Sequence, residues 1–212
     1  MTTRNLIRWS GMALLLTGAL WAFGQFFHPD DYNPSALLDR LWIPTQVALG
    51  LGSLLSVLGV VGLYLHQAEK VGRLGWIGFL LALFGSALNV AVGLGLAFVI
   101  PVVAAQDSPP KPLFDYIGGP DKPFGAFGFL ALIFFVTYVP GYILIAIASL
   151  RAGGSSVPRG AAWLIIIALL VFVPSGFIPA LAIVKNISAG VFGIGLAWSG
   201  IAIWSERHEL TQ

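Results

Sequence analysis

Cysteine is missing from all 212 residues, which removes disulfide frameworks, thiolate metal sites, iron–sulfur clusters and cysteine nucleophiles together. Charge is scarce too: 11 Lys+Arg and 9 Asp+Glu make up 9% of the chain, against roughly a quarter in soluble proteins. So few hydrated groups cannot coat a globule of this size. No run of Lys or Arg follows a phosphate spacing, so the net charge of +2 and the pI near 9.1 give no reason to expect a nucleic-acid partner. Phosphate loops, dinucleotide glycine fingerprints and nucleophile elbows are also lacking.

What is present is apolar: 58% of the residues are hydrophobic and the mean hydropathy is +0.90. A helix needs about 20 apolar residues to cross about 30 Å of hydrocarbon. Stretches of that order free of Asp, Glu, Lys and Arg occur at about Trp9–Phe27, Ile43–Leu65, Trp76–Val103, Ala126–Leu150, Ala161–Val184 and Ile187–Trp204. The reading is an all-α integral membrane protein. Residues 1–212 form a single polytopic domain, a bundle of six transmembrane helices with a long proline-rich outer loop.

Short loops rich in Lys and Arg stay on the cytoplasmic side. With both termini cytoplasmic, the inner segments hold Arg4, Arg8, Lys70, Arg73, Arg151, Arg159 and Arg207, and the outer ones Arg40, Lys111, Lys122 and Lys185. Trp9, Trp76, Trp163 and Trp204 lie beside the inner charges, where indoles favour the headgroup level. The expected location is the cell membrane, with the lipid bilayer as the first partner. Arg4 and Arg8 before an apolar run also resemble a secretory signal with Ala22-Phe23-Gly24 as a cleavage site, but bulky Trp21 and Phe23 disfavour cleavage.

Small residues every four positions let membrane helices approach closely. Ala48/Gly52/Ser56, Gly78/Ala82/Ser86 and Ala189/Gly193/Ala197 form three such stripes, read as bundle contacts or as faces for a homo-oligomer or another membrane protein.

No ionisable residue lies near the middle of any span, which counts against proton-coupled pumping. The three histidines, His28, His66 and His208, sit at span ends or in the tail and form no haem or zinc motif. Two regions stand out. Pro140 in the fourth span and Pro174 in the fifth fall at a depth similar to Asn89 of the third, and prolines there displace the carbonyls of Val136 and Leu170. Asn89, Thr137, Tyr138, Tyr142 and Ser175 then form a candidate neutral pocket for an apolar ligand with one polar end: a lipid, quinone or carotenoid. The competing reading makes the prolines shape the helices and Asn89 a structural interhelical hydrogen bond.

The second region is the outer face. The loop from His28 to Trp42 reads as a short interfacial helix capped by Asn33 or Ser35, and the loop from Ala104 to Gly125 as an ordered cap built from prolines and aromatics. His28, Asp30 and Asp31 are weak candidates for a divalent cation; acids that merely hydrate the loop are the simpler reading. No catalytic residue is assigned. The expectation is an accessory subunit of a membrane complex or a binder of an apolar ligand, not an enzyme. The alternative is a facilitative carrier of a small neutral solute, or a lipid-modifying enzyme, with its site open to the outer face.

Overall fold

Charge, proline and glycine collect where the apolar runs stop, and the helices end close to those points. The computed structural model describes residues 3–107, 109, 111–118, 125–153 and 157–205, and the regular elements among them are all helical. Helix α1 spans Thr3–Phe26 and passes through Ala22 to Gly24 without a break. Helix α2 spans Trp42–Phe98 but reverses at Gly72, whose φ of 55° and ψ of −155° fall in a region essentially reserved for glycine. Its two arms, 42–71 and 73–98, lie antiparallel, with the Trp42 indole donating to the Leu96 carbonyl at 2.8 Å. Short helices α3 (Ile100–Ala104) and α4 (Leu113–Ile117) follow, then α5 (Ala126–Arg151), α6 (Arg159–Ser175) and α7 (Ala182–Ser205).

Three boundaries differ from the sequence reading. The segment Gln67–Lys70, which lies between the second and third apolar runs, is helical, because Gly72 makes the reversal. The fifth rod stops at Ser175 instead of continuing to Val184: Pro174 lacks an N–H, and the chain turns through Gly176 to a 3-10 turn at Pro179–Leu181. Pro174 therefore sits in the last turn of α6, whereas Pro140 lies inside an unbroken α5. The sixth rod accordingly starts at Ala182 instead of Ile187, which puts Lys185 in the first turn of α7 and not in a loop.

Each rod packs on the next, and the last returns to the first. Gly52 and Gly59 of α2 meet Trp21 and Leu14 of α1; Gly78 and Gly85 meet Ile145 and Tyr138 of α5; Gly195 of α7 meets Ala161 and Ile165 of α6. Gly18 of α1 and Gly193 of α7 bring two backbones together so closely that a Cβ on Gly18 would collide with Ala197 N and Gly193 O. The small-residue stripes are thus spent on contacts inside the bundle. Thr17 adds a hydrogen bond to the Gly52 carbonyl at 3.0 Å; such interhelical bonds average about 0.6 kcal/mol in membranes, so close packing dominates.

The centre of the ring is filled by aromatics. Trp21 stacks on Tyr138 with centroids 5.3 Å apart, and Phe192 meets Trp21 and Tyr142 edge-on at 5.4 and 5.2 Å. All four rings are at most 5% exposed. Outside, large apolar side chains such as Leu54, Phe84, Val136 and Ile167 are exposed. Asn5–Phe26, Trp42–Ala104, Ala126–Arg151 and Pro179–Ser205 are long and apolar enough to cross a membrane by length and composition, and Trp42–Ala104 contains two arms. With α6, apolar but only 17 residues long, six rods fit the six apolar runs. This architecture is compatible with a membrane protein.

At the end opposite the chain termini, the loops form a second core. Ala36, Leu37, Trp42, Ile100, Ala104, Leu113 and Ile117 bury one another there. The expected short helix is a 3-10 turn, Ala36–Leu38; Asn33 accepts from the Ser35 N–H at 3.0 Å and from its hydroxyl at 2.9 Å, without a side-chain cap to the turn itself. Residues 108, 110 and 119–124 of the proline-rich loop, including Asp121 and Lys122, lie outside the described residues, as do Arg207 and His208 of the tail.

Candidate functional site

Five residues carried the mid-bundle expectation, and the fold keeps Tyr138 and Tyr142 in contact, ring centroids 4.6 Å apart, while the hydrogen bonds of the other three go elsewhere. Asn89 donates to Ser53 Oγ across the α2 hairpin at 2.6 Å, and Ser53 passes the bond on to the Leu49 carbonyl at 2.8 Å. Tyr142 lies 3.3 Å from Ser86 Oγ, and Tyr138 belongs to the central aromatic cluster with its hydroxyl unpaired. Thr137 and Ser175 bond back to their own helices, Thr137 to Ile133 and Ser175 to Val171. Neither reaches the Val136 or Leu170 carbonyl that prolines displace. None of the five lines either of the cavities described below.

Polar chemistry gathers instead at the loop end. Helix α1 stops at Phe26, and the next residues fold inward so that His28 and Asp31 face the first turn of α7. The Lys185 ammonium donates to Asp31 Oδ2, and both residues are 8% exposed. A buried charge requires such a partner, because desolvating an unpaired ion costs several kcal/mol. Burial alone would raise the Asp31 carboxyl, but Lys185, aided by His28, more than offsets it and holds the pKa below the usual value.

His28 is held at both ring nitrogens. Nδ1 lies 2.7 Å from the Pro29 carbonyl, which can only accept, so Nδ1 carries the proton. Nε2 then accepts from the Gln46 amide at 3.0 Å. Nδ1 also lies 3.5 Å from Asp31 Oδ1. Burial depresses the His28 pKa, with Asp31 opposing and Lys185 adding to the shift, so the ring is neutral near pH 7. The backbone is tied in as well: Asn186 donates to the His28 carbonyl at 3.0 Å, Tyr32 OH to the Gly176 carbonyl at 2.6 Å, and the Leu113 N–H to the Asp31 carbonyl at 3.2 Å. Burial and the two neighbouring aspartates raise the Tyr32 phenol.

The cation candidates His28, Asp30 and Asp31 are therefore neighbours with different engagements. His28 has no free nitrogen lone pair, Asp31 is neutralised by Lys185, and Asp30 accepts from the Tyr32 N–H at 3.0 Å. Among the described residues no group of three His, Asp or Glu side chains converges as metal ligands would. Beside the cluster opens a cavity of about 300 Å³ lined by His28, Asp30, Asn186, Ala182, Ile183 and the Pro179–Ala180 turn. A second, mainly apolar furrow of about 190 Å³ runs between α6 and α7, along Ile167, Val171, Ile187 and Val191, with Ser188 in its lining.

Lys185, Gln46 and Asn186 were not anticipated as site residues. One signal pointed to the first: Lys185 is the only charged residue between Arg159 and Glu206. Compared with known protein families, with curated proteins and with solved structures, the chain matches none.

Proposed function

We propose that the chain is a six-span protein of the cell membrane, both termini cytoplasmic, that binds an amphiphile at its outer end and catalyses no reaction. The observation that carries this reading is the cavity of about 300 Å³, polar on the His28, Asp30 and Asn186 side and apolar on the Pro179 and Ile183 side. Ile183 at its rim is 73% exposed, as a residue facing lipid would be. The even number of antiparallel rods supports the topology. It gathers Arg8, Lys70, Arg73, Arg151 and Arg159 at the end that carries the termini, in agreement with the positive-inside rule.

The competing classes fit less well. A carrier needs a path through the bundle, and Trp21, Tyr138, Tyr142 and Phe192 pack the centre. A catalytic His28 would need a free nitrogen, and both of its nitrogens are bonded. An accessory role in a larger complex is the second reading, favoured by the apolar furrow between α6 and α7, which offers a seat for a partner helix.

Native mass spectrometry of gently extracted protein tests the assignment. The expected result is a retained amphiphile at one per chain, lost on Ile183→Glu while the protein stays folded. A ligand-free, monodisperse monomer would overturn it.

A further inference from the structure

Cations outnumber acids at the end of the bundle that carries the chain termini: among the described residues Arg8, Lys70, Arg73, Arg151 and Arg159 stand there against Glu69. They do not share one level. Gly62 of α2 packs on Ser10 of α1, so at about 1.5 Å per residue along the rods the corner at Gly72 lies about 15 Å beyond Ser10 and Arg8 only about 3 Å. Lys70 and Arg73 flank that corner and are exposed. Arg8 is set back from them by about 12 Å, at the level of Trp9 and Trp204, and indoles favour the headgroup layer.

The Arg8 guanidinium lies over the Trp204 ring, 4.4 Å from its centroid, and Trp9 meets the same ring edge-on at 5.9 Å. The ring attracts the cation through its quadrupole but offers no oxygen to the N–H groups. No carboxylate among the described residues pairs with Arg8. Its Nε is buried without a hydrogen-bond partner and out of reach of any ligand. The two terminal nitrogens of this half-buried residue are not among the buried atoms, and they keep their N–H groups for an acceptor outside the protein.

We infer that the terminal N–H groups of Arg8 hold the phosphodiester of an anionic phospholipid of the bilayer, at the seam between α1 and α7. The planar fork of arginine matches phosphate oxygens in pairs, and the ring of Trp204 fixes where that fork sits. The surplus of cations at this end favours a headgroup of net negative charge over a zwitterionic one, whose ammonium it repels. The outer cavity, at the opposite end of the bundle, takes no part.

The full chain in phosphatidylcholine nanodiscs doped with equal phosphatidylethanolamine and phosphatidylglycerol tests this. Native mass spectrometry is expected to find phosphatidylglycerol enriched about fivefold over phosphatidylcholine, without enrichment of phosphatidylethanolamine. Arg8→Gln is expected to abolish the preference, while Arg73→Gln, at the exposed corner, keeps it. Arg8→Lys retains a cation against the ring without the fork; it is expected to fall between parent and Arg8→Gln, and it decides the matter where Arg8→Gln fails to fold. Ile183→Glu, which empties the outer cavity, is expected to leave the preference unchanged, so the two sites fail separately. Equal retention of the three lipids, a preference that survives Arg8→Gln or is undiminished in Arg8→Lys, an equal fall in Arg73→Gln, or loss with Ile183→Glu overturns the inference.

Discussion

Replacing Lys185 with Met keeps most of the side chain's length and removes its charge, leaving the Asp31 carboxylate in a site where both partners are only about a tenth exposed (10% and 11% of the side chain). The one remaining cationic candidate, His28, is neutral and 3.5 Å away. Breaking a buried pair in this way typically costs about 3–5 kcal/mol, because an uncompensated ion stays behind. Asp31→Asn alone strands the ammonium and costs a similar amount. The double variant Asp31→Asn/Lys185→Met strands neither and is expected to lose much less than the sum. The expected coupling energy is on the order of 2 kcal/mol or more. Equilibrium unfolding in mixed micelles measures the three variants. Amide exchange at Leu113, whose N–H bonds to the Asp31 carbonyl, reports whether the loop end opens locally. Single substitutions within about 0.5 kcal/mol of the parent, or strict additivity, would refute the claim that this pair holds the loop end to α7.

Gly18→Ala places a methyl against Ala197 N and Gly193 O, which are backbone atoms and cannot swing away; a loss of about 1–3 kcal/mol in the same assay is expected, and no loss would mean the α1/α7 contact is looser than described. Asn89→Leu removes the bond to Ser53 and should cost about 0.6–1.7 kcal/mol without disturbing copurified lipid; loss of bound lipid would return the ligand to mid-bundle. For pH, His28 has a folded pKa below its ordinary 6.5, so the unfolded chain binds the extra proton first and stability falls as pH drops below about 6.5. Asp31, lowered from 3.8, adds a second loss only below that value. A thermal midpoint that stays level from pH 7 to 5, or equals that of Gln46→Ala at each pH, would contradict the histidine assignment.

The rods were legible because long apolar helices announce themselves by charge-free length, and each predicted run overlaps one. The fifth boundary was not: hydropathy runs unbroken past Pro174 to Val184, and what ends α6 is backbone chemistry at Pro174, Gly176 and Pro179. The candidate site was half legible. His28 and Asp31 sit three residues apart, but Lys185 lies 154 positions from Asp31, and no local pattern links them. The proline-depth argument joined Thr137 and Ser175 to Asn89, whereas their hydroxyls turn back to carbonyls of their own helices.

The reversal at Gly72 occupies a single residue, so the facing of the second arm is fixed directly by that of the first. Inserting or deleting one residue beside it would turn the second arm by about 100° and slide it by about 1.5 Å. Asn89 would leave Ser53, and Gly78 and Gly85 would swing away from α5, so this corner, Gly72 itself apart, tolerates substitution better than a change of length. A reporter tag or linker belongs after Ser205 and not in this corner, although both mark the same end of the bundle.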